Sequence, residues 1–152
     1  MILVDANLLI YATFRDSARH EAARVWLEET FSGEEAVALP WVVLGAFIRL
    51  GTNPRIMSQP LSLDEALTHV EEWLALPIVC VPGPTTVHLR EFSRMLRAAQ
   101  ATGNLVTDAT LAALAIEHHC HLASTDGDFA RFPGLDWFNP LTGSTQAPGE
   151  DG

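Results

Sequence analysis

Short apolar runs recur along the chain at "ILV" (2–4), "AVAL" (36–39), "IVCV" (78–81), "HLAS" (121–124) and "WF" (137–138). Each is four residues or fewer, short even for a strand. Between them the apolar positions follow a helical period. Residues 17–31 align Ala23, Trp26, Leu27, Thr30 and Phe31 on one stripe, with Asp16 or Ser17 available as a cap. In "PWVVLGAFIRLG", Pro40 suits a first helical turn and Gly51 a C-terminal stop. "SLDEALTHVEEWL" opens with Ser62 and Glu65 in capping-box spacing and groups Leu63, Leu67, Val70 and Leu74. Residues 85–101 place Leu89, Phe92, Leu96 and Ala99 on a buried stripe that Gly103 ends, and "DATLAALAIEHH" (108–119) is the last helix.

Strands alternating with helices imply parallel crossovers, hence an α/β fold: a three-layer α/β/α sandwich around a central, mainly parallel sheet. With 152 residues the chain makes one domain, expected over 1–141, that buries about two thirds of its unfolded surface without needing a disulfide. Residues 142–152, dominated by "GSTQAPGEDG", are expected to be disordered. Cys80 and Cys120 lie in apolar, strand-like segments and read as small buried thiols. Asp5 interrupts the first apolar run, no basic stretch precedes it, and no window is long enough to span a membrane, so the expected compartment is the cytoplasm. The net charge of -10 excludes a protein that holds nucleic acid by bulk electrostatics. A nucleic-acid partner would have to be held locally, with help from a metal. All nine cationic residues are arginines, whose guanidinium forks suit phosphate.

In an open parallel sheet, ligands collect beyond the carboxyl ends of the strands. Asp5 follows the first predicted strand, Asp126 and Asp128 follow "HLAS", and Asp108 sits in the first turn of the last helix. All four are therefore expected at one edge. Clustered carboxylates resist joint ionisation unless a cation joins them. An oxygen-only donor set suits Mg²⁺ or Mn²⁺, and phosphodiester hydrolysis is the chemistry such a site serves. Gly127 is expected to let the turn between Asp126 and Asp128 fold sharply. Taken singly, Asp108 is explained as a favourable charge at a helix start and "TDGD" as a solvated turn. Their shared edge is what points to chemistry.

"MILVDANLLIYA", "GNLVTDATLAALA" and "STDGDFARFPGLDWFNPL" together resemble the PIN-domain ribonucleases, and specifically the VapC toxins of bacterial toxin–antitoxin pairs. The resemblance runs in order over residues 1–141. It implies a Mg²⁺- or Mn²⁺-dependent endoribonuclease that cuts tRNA or rRNA, usually a homodimer. It also implies a VapB antitoxin that silences the enzyme in a VapBC hetero-oligomer. By motif, the metal ligands are Asp5, Asp108 and Asp126, with Asp128 assisting and Asn7 and Thr125 supporting. The family usually carries a Glu in the helix after the second strand, where this chain has Gly45, Ala46 and Phe47. Glu117 does not replace it: nine residues beyond Asp108, it lies on the opposite helix face and about 13 Å along the axis. The missing acid motivates a second reading, a degenerate PIN module that binds antitoxin or RNA without cutting.

Arg90, Arg94 and Arg97 form a basic stripe, either a solvated face or an RNA track. "HHCH" (118–121) lacks a second ligand pair at zinc spacing. Trp26, Trp41, Trp73 and Trp137 fall one per element, which favours core packing or partner surfaces over base stacking.

Overall fold

The computed structural model describes residues 1–149. Six strands form one sheet: β1 (Ile2–Val4), β2 (Val37–Ala38), β3 (Val79–Cys80), β4 (His121–Ala123), β5 (Trp137–Phe138) and β6 (Thr145–Gln146). Their order is β3-β2-β1-β4-β5-β6, parallel throughout except for the antiparallel β5–β6 pair. Leu3, Val4, Val37, Ala38, Leu122 and Ala123 are wholly buried, which is why these strands read as unbroken apolar runs rather than alternating ones. Six helices cover the sheet: α1 (Ala6–Thr13), α2 (His20–Ser32), α3 (Trp41–Gly51), α4 (Leu63–Leu74), α5 (His88–Ala98) and α6 (Leu105–Glu117). α1 packs on α2 and α3, α3 packs on α4, and α5 pairs with α6, giving the expected sandwich.

The chain winds outward from β1 through β2 to β3, then crosses back to place β4 on the other side of β1. The gap beyond the carboxyl ends of β1 and β4 is thus the topological switch point, where ligands of open α/β sheets bind.

Several local expectations are corrected. α1 has no counterpart in the periodicity, because residues 8–12 are nearly all apolar and show no polar face. α2 starts at His20 with Arg19 as its uncapped N-cap residue, and Ser17 Oγ accepts instead from Arg19 N–H. Ser62 and Glu65 do form the capping box, but α4 buries Ala66, Val70 and Trp73 while Leu63 and Leu67 are exposed. Trp73 packs edge-on against Phe47 of α3 at 4.7 Å, and this contact sets the rotation of α4. α5 is likewise turned: His88 points inward, bonded to Glu117 and stacked on Phe92, which throws Leu89 out to 76% exposure. Met95 and Ala99 take the buried positions. Gln100, at φ 49°, makes the left-handed exit from α5 before Gly103 is reached.

Cys80 is exposed on edge strand β3, its thiol 3.4 Å from Met1 Sδ; Cys120 is buried, which pushes its thiol up to about 11. Trp73 and Trp137 belong to the core and Trp26 meets Phe138 edge-on, whereas Trp41 is 64% exposed. Within the stretch expected to be disordered from residue 142, Thr145–Gln146 form β6, whose Gln146 Nε2 donates to the carbonyls of Phe132 and Leu135. Residues 150–152 of that expected tail lie outside the described residues. Among the described residues, no helix is long and apolar enough to cross a membrane.

Replacing Ser62 by Ala removes the acceptor of the Glu65 N–H and should lower stability by about 1 kcal/mol. Urea denaturation should show a lower midpoint at unchanged slope.

Candidate metal centre

β1 ends at Val4, and Asp5 serves at once as the strand's exit and the N-cap of α1. One carboxylate oxygen accepts from the Ala6 N–H at 2.7 Å; the other accepts from Ser124 Oγ at 2.7 Å. Ser124, wholly buried just after β4, is bonded through every polar group it has. Its Oγ donates to Asp5 and accepts from Asn7 Nδ2 at 3.1 Å and from the Asp126 N–H at 3.0 Å. Its N–H donates to the Phe138 carbonyl, and its carbonyl accepts from the Trp137 indole. One hydroxyl hydrogen and two lone pairs are thereby all used, so the side chain has a single orientation.

Asp126 caps a 3-10 turn (Gly127–Arg131) by accepting from the Asp128 N–H at 2.9 Å. This cap aims the two carboxylates; Gly127 has no positive φ, and a Cβ there would meet nothing, so its expected conformational role is corrected. Asp108 projects from the first turn of α6. One oxygen each from Asp108, Asp126 and Asp128 falls within a mutual 4.8 Å. Asp5 stands outside this trio but close enough to repel both Asp126 and Asp108.

Burial raises the pKa of Asp5, and the hydrogen bonds from Ser124 and Ala6 only partly counter it. Asp108 is pushed up to about 6, first by burial and then by Asp126, Asp5 and Asp128. Three oxygens converging under such repulsion fit a hard divalent cation. Asn7, whose Nδ2 is bonded to Ser124 Oγ, keeps its Oδ1 buried without a hydrogen-bond partner.

The other expected residues are dispersed. Thr125 makes no side-chain hydrogen bond among the described residues, and Ser124 fills the orienting role. A polar residue closing an otherwise apolar strand was the available signal for Ser124. Arg94 is engaged by Glu91 at 2.8 Å and by the Pro133 carbonyl at 3.2 Å, while Arg90 and Arg97 are exposed. Glu117 is turned away from the acids to bind Thr85 and His88. Of "HHCH", His118 bonds the Gly83 carbonyl and His121 faces Asp136, and the acidic trio is the sole metal-capable cluster among the described residues. Where an acid is missing from α3, Gly45 is exposed with open space around it, whereas Ala46 packs against the core.

A mainly parallel sheet that gathers acids at its switch point makes this an α/β protein with a candidate metal centre. The PIN domain pattern matches residues 2–135, and the chain belongs to the PIN-domain family. Ribonuclease VapC37 of Mycobacterium tuberculosis is 42% identical over 140 residues, covering 92% of this chain and 97% of that protein. VapC ribonuclease Mb2897 of Mycobacterium bovis is 38% identical over 145 residues, covering 95% and 99%. Among solved structures, VapBC2 from Rickettsia felis, bound to a DNA fragment from its promoter, superposes with a TM-score of 0.68 at 17% identity, covering 91% of this chain and 98% of that one. VapC20 of Mycobacterium tuberculosis, a sarcin-ricin loop cleaving toxin, gives 0.62 at 22% identity, covering 86% and 93%.

Ser124→Ala should strand the Asn7 amide and the Asp126 N–H and loosen Asp5, costing roughly 2–4 kcal/mol by denaturant titration. Asp108→Asn should act in the opposite sense. A carboxyl whose folded pKa is raised from 3.8 to about 6 binds more protons folded than unfolded across that window, so stability falls as pH rises through it. In EDTA at neutral pH the Asn variant should gain roughly 1 kcal/mol, allowing for solvent screening of a half-exposed group, or about 2–4 °C in Tm. That gain should vanish near pH 4.

Proposed function

We propose that the chain is a VapC-type toxin, a metal-dependent endoribonuclease held in check by a VapB-type antitoxin. The observation that carries this reading is the oxygen trio of Asp108, Asp126 and Asp128 at the switch point of a PIN domain. Relatives above 35% identity over nearly the whole chain are ribonucleases by name, which supports RNA as the substrate. Structures of VapBC complexes among the fold neighbours support the antitoxin partner. By family resemblance the substrate is a tRNA or rRNA, the toxin is a homodimer that joins VapB in a hetero-oligomer, and it acts in the cytoplasm.

Asp108, Asp126 and Asp128 are the residues that would hold Mg²⁺ or Mn²⁺, with Asp5 in reach as a fourth carboxylate. The bound cation would neutralise the cluster, lower the pKa of the attacking water and offset the charge gathering on the scissile phosphate. The chain's own contribution is orientation. Ser124 and the Ala6 N–H hold Asp5 in one rotamer. The cap from the Asp128 N–H fixes Asp126, while Asp128 itself lies on the exposed rim from which a long polymer can approach. Asn7 Nδ2 donates to the same Ser124 hydroxyl and so helps to hold it on Asp5. The family Glu absent near Ala46 is compensated in number by Asp128, so the site retains four acids.

Purified, antitoxin-free protein incubated with total RNA and Mg²⁺ or Mn²⁺ should make discrete cuts. EDTA, Asp5→Asn and Asp126→Asn should each reduce them by about 10²-fold or more. Cutting at the ordinary rate by either Asn variant would rule out the assignment. Folded protein that binds RNA yet makes no cut with either metal would point to the non-cleaving module.

A further inference from the structure

α3 begins at the same sheet edge as the acids. β1 and β2 run parallel, with Leu3 paired to Ala38, so Asp5 beyond β1 and Pro40 beyond β2 leave the sheet at the same edge as the N-caps of α1 and α3. Trp41 is the next residue and the first of α3. It is 64% exposed, in contrast to the buried Trp73 and Trp137. A solitary exposed Leu is ordinary on any protein, but an indole is the largest apolar side chain. Here it opens the helix that leaves the same edge of the parallel sheet as the acids.

The surface that follows Trp41 along α3 is shaped in a consistent way. Gly45, one turn on, is exposed, and nothing lies within 4 Å of where its Cβ would stand. Arg49, a second turn on and about 12 Å from Trp41 along the axis, is exposed and makes no ion pair among the described residues. Trp41–Gly51 contains no acid, in a chain whose net charge is -10. One helix face therefore offers a flat aromatic, an open patch of backbone and a free guanidinium in line, starting from the sheet edge that carries the acids. Aromatic platforms with adjacent cationic groups are how proteins hold single-stranded nucleic acid, since every base has a π-face and every linkage a charge.

We infer that the exposed face of α3 binds the RNA strand flanking the scissile phosphate, with Trp41 stacking on a base and setting the base preference there, Gly45 admitting the sugar–phosphate chain and Arg49 pairing with a phosphate. The inference rests on the ribonuclease reading above and adds a determinant of specificity to it. The loss of an acid from α3 then has a second effect: it removes a negative charge from the path of the RNA.

The test compares Trp41→Ala, Trp41→Phe and Arg49→Ala with the unaltered protein on total RNA, mapping cut positions by end sequencing and measuring kinetics on one cut RNA. Trp41→Ala should lower kcat/KM by roughly 10- to 100-fold, mainly through KM, and flatten the base preference at one position beside the cut. Trp41→Phe should retain most of both. Arg49→Ala should weaken binding evenly across sequences and reduce the salt dependence by about one phosphate contact. An unchanged cut map and rate in Trp41→Ala overturns the inference while leaving the ribonuclease reading intact. Loss of activity in Trp41→Ala accompanied by a changed mass in light scattering also overturns it, and makes the face an interface between copies. Failure of the unaltered protein to cut defeats the ribonuclease reading and the inference with it.

Discussion

The hydroxyl of Ser124 is the joint on which the site depends. It is wholly buried, and its three hydrogen bonds reach α1 through Asn7, the end of β1 through Asp5, and the acidic turn through the Asp126 N–H. Segments more than 115 residues apart in sequence are thereby held at fixed separation by one oxygen atom. The main-chain groups of the same residue are tied to β5 and its tryptophan. A buried polar group satisfied this completely rigidifies its surroundings, whereas a partly satisfied one would be a weak point.

What this joint holds together is a cluster that would otherwise spread. Asp5 and Asp108 are both pushed toward the protonated form by burial and by their neighbours, so the folded chain carries repulsion at its switch point. The closely packed strands beneath, with Leu3, Val4, Leu122 and Ala123 wholly buried, provide the stiffness that opposes it. Stability and chemistry are set against each other here. The same acids that make the site attractive to a divalent cation repel one another across the switch point.

The sheet was legible because strands covered on both faces become plain apolar runs, and the capping box at Ser62 was legible because its two partners lie three residues apart. The acids were legible through strand ends, a rule of topology that needs no coordinates. Other features were hidden for physical reasons. α1 lacks a polar face, so its period leaves no trace, although Asp5 in N-cap position was a usable signal. The expected stripes of α4 and α5 were right in their later turns, where Val70, Leu74, Phe92, Leu96 and Ala99 pack, but Trp73 on Phe47 and His88 with Glu117 take the inward positions that were given to Leu63, Leu67 and Leu89. Ser124 was not singled out beside Thr125. Which of two adjacent hydroxyls faces inward depends on strand register, and the sequence alone does not display it.

The distribution of the site along the chain bears on synthesis. Asp5 leaves the ribosome first, Asp126 and Asp128 near the end, and Gln146, which ties the segment after the acidic turn to the sheet, later still. β4 also pairs with β1, so the central pair of the sheet cannot close until residues 121–123 have been made. A nascent fragment therefore has neither the acidic trio nor the hydroxyl that orders it. A product that stops short of Ser124 lacks both, whereas one that extends past Asp128 carries every residue of the acidic cluster.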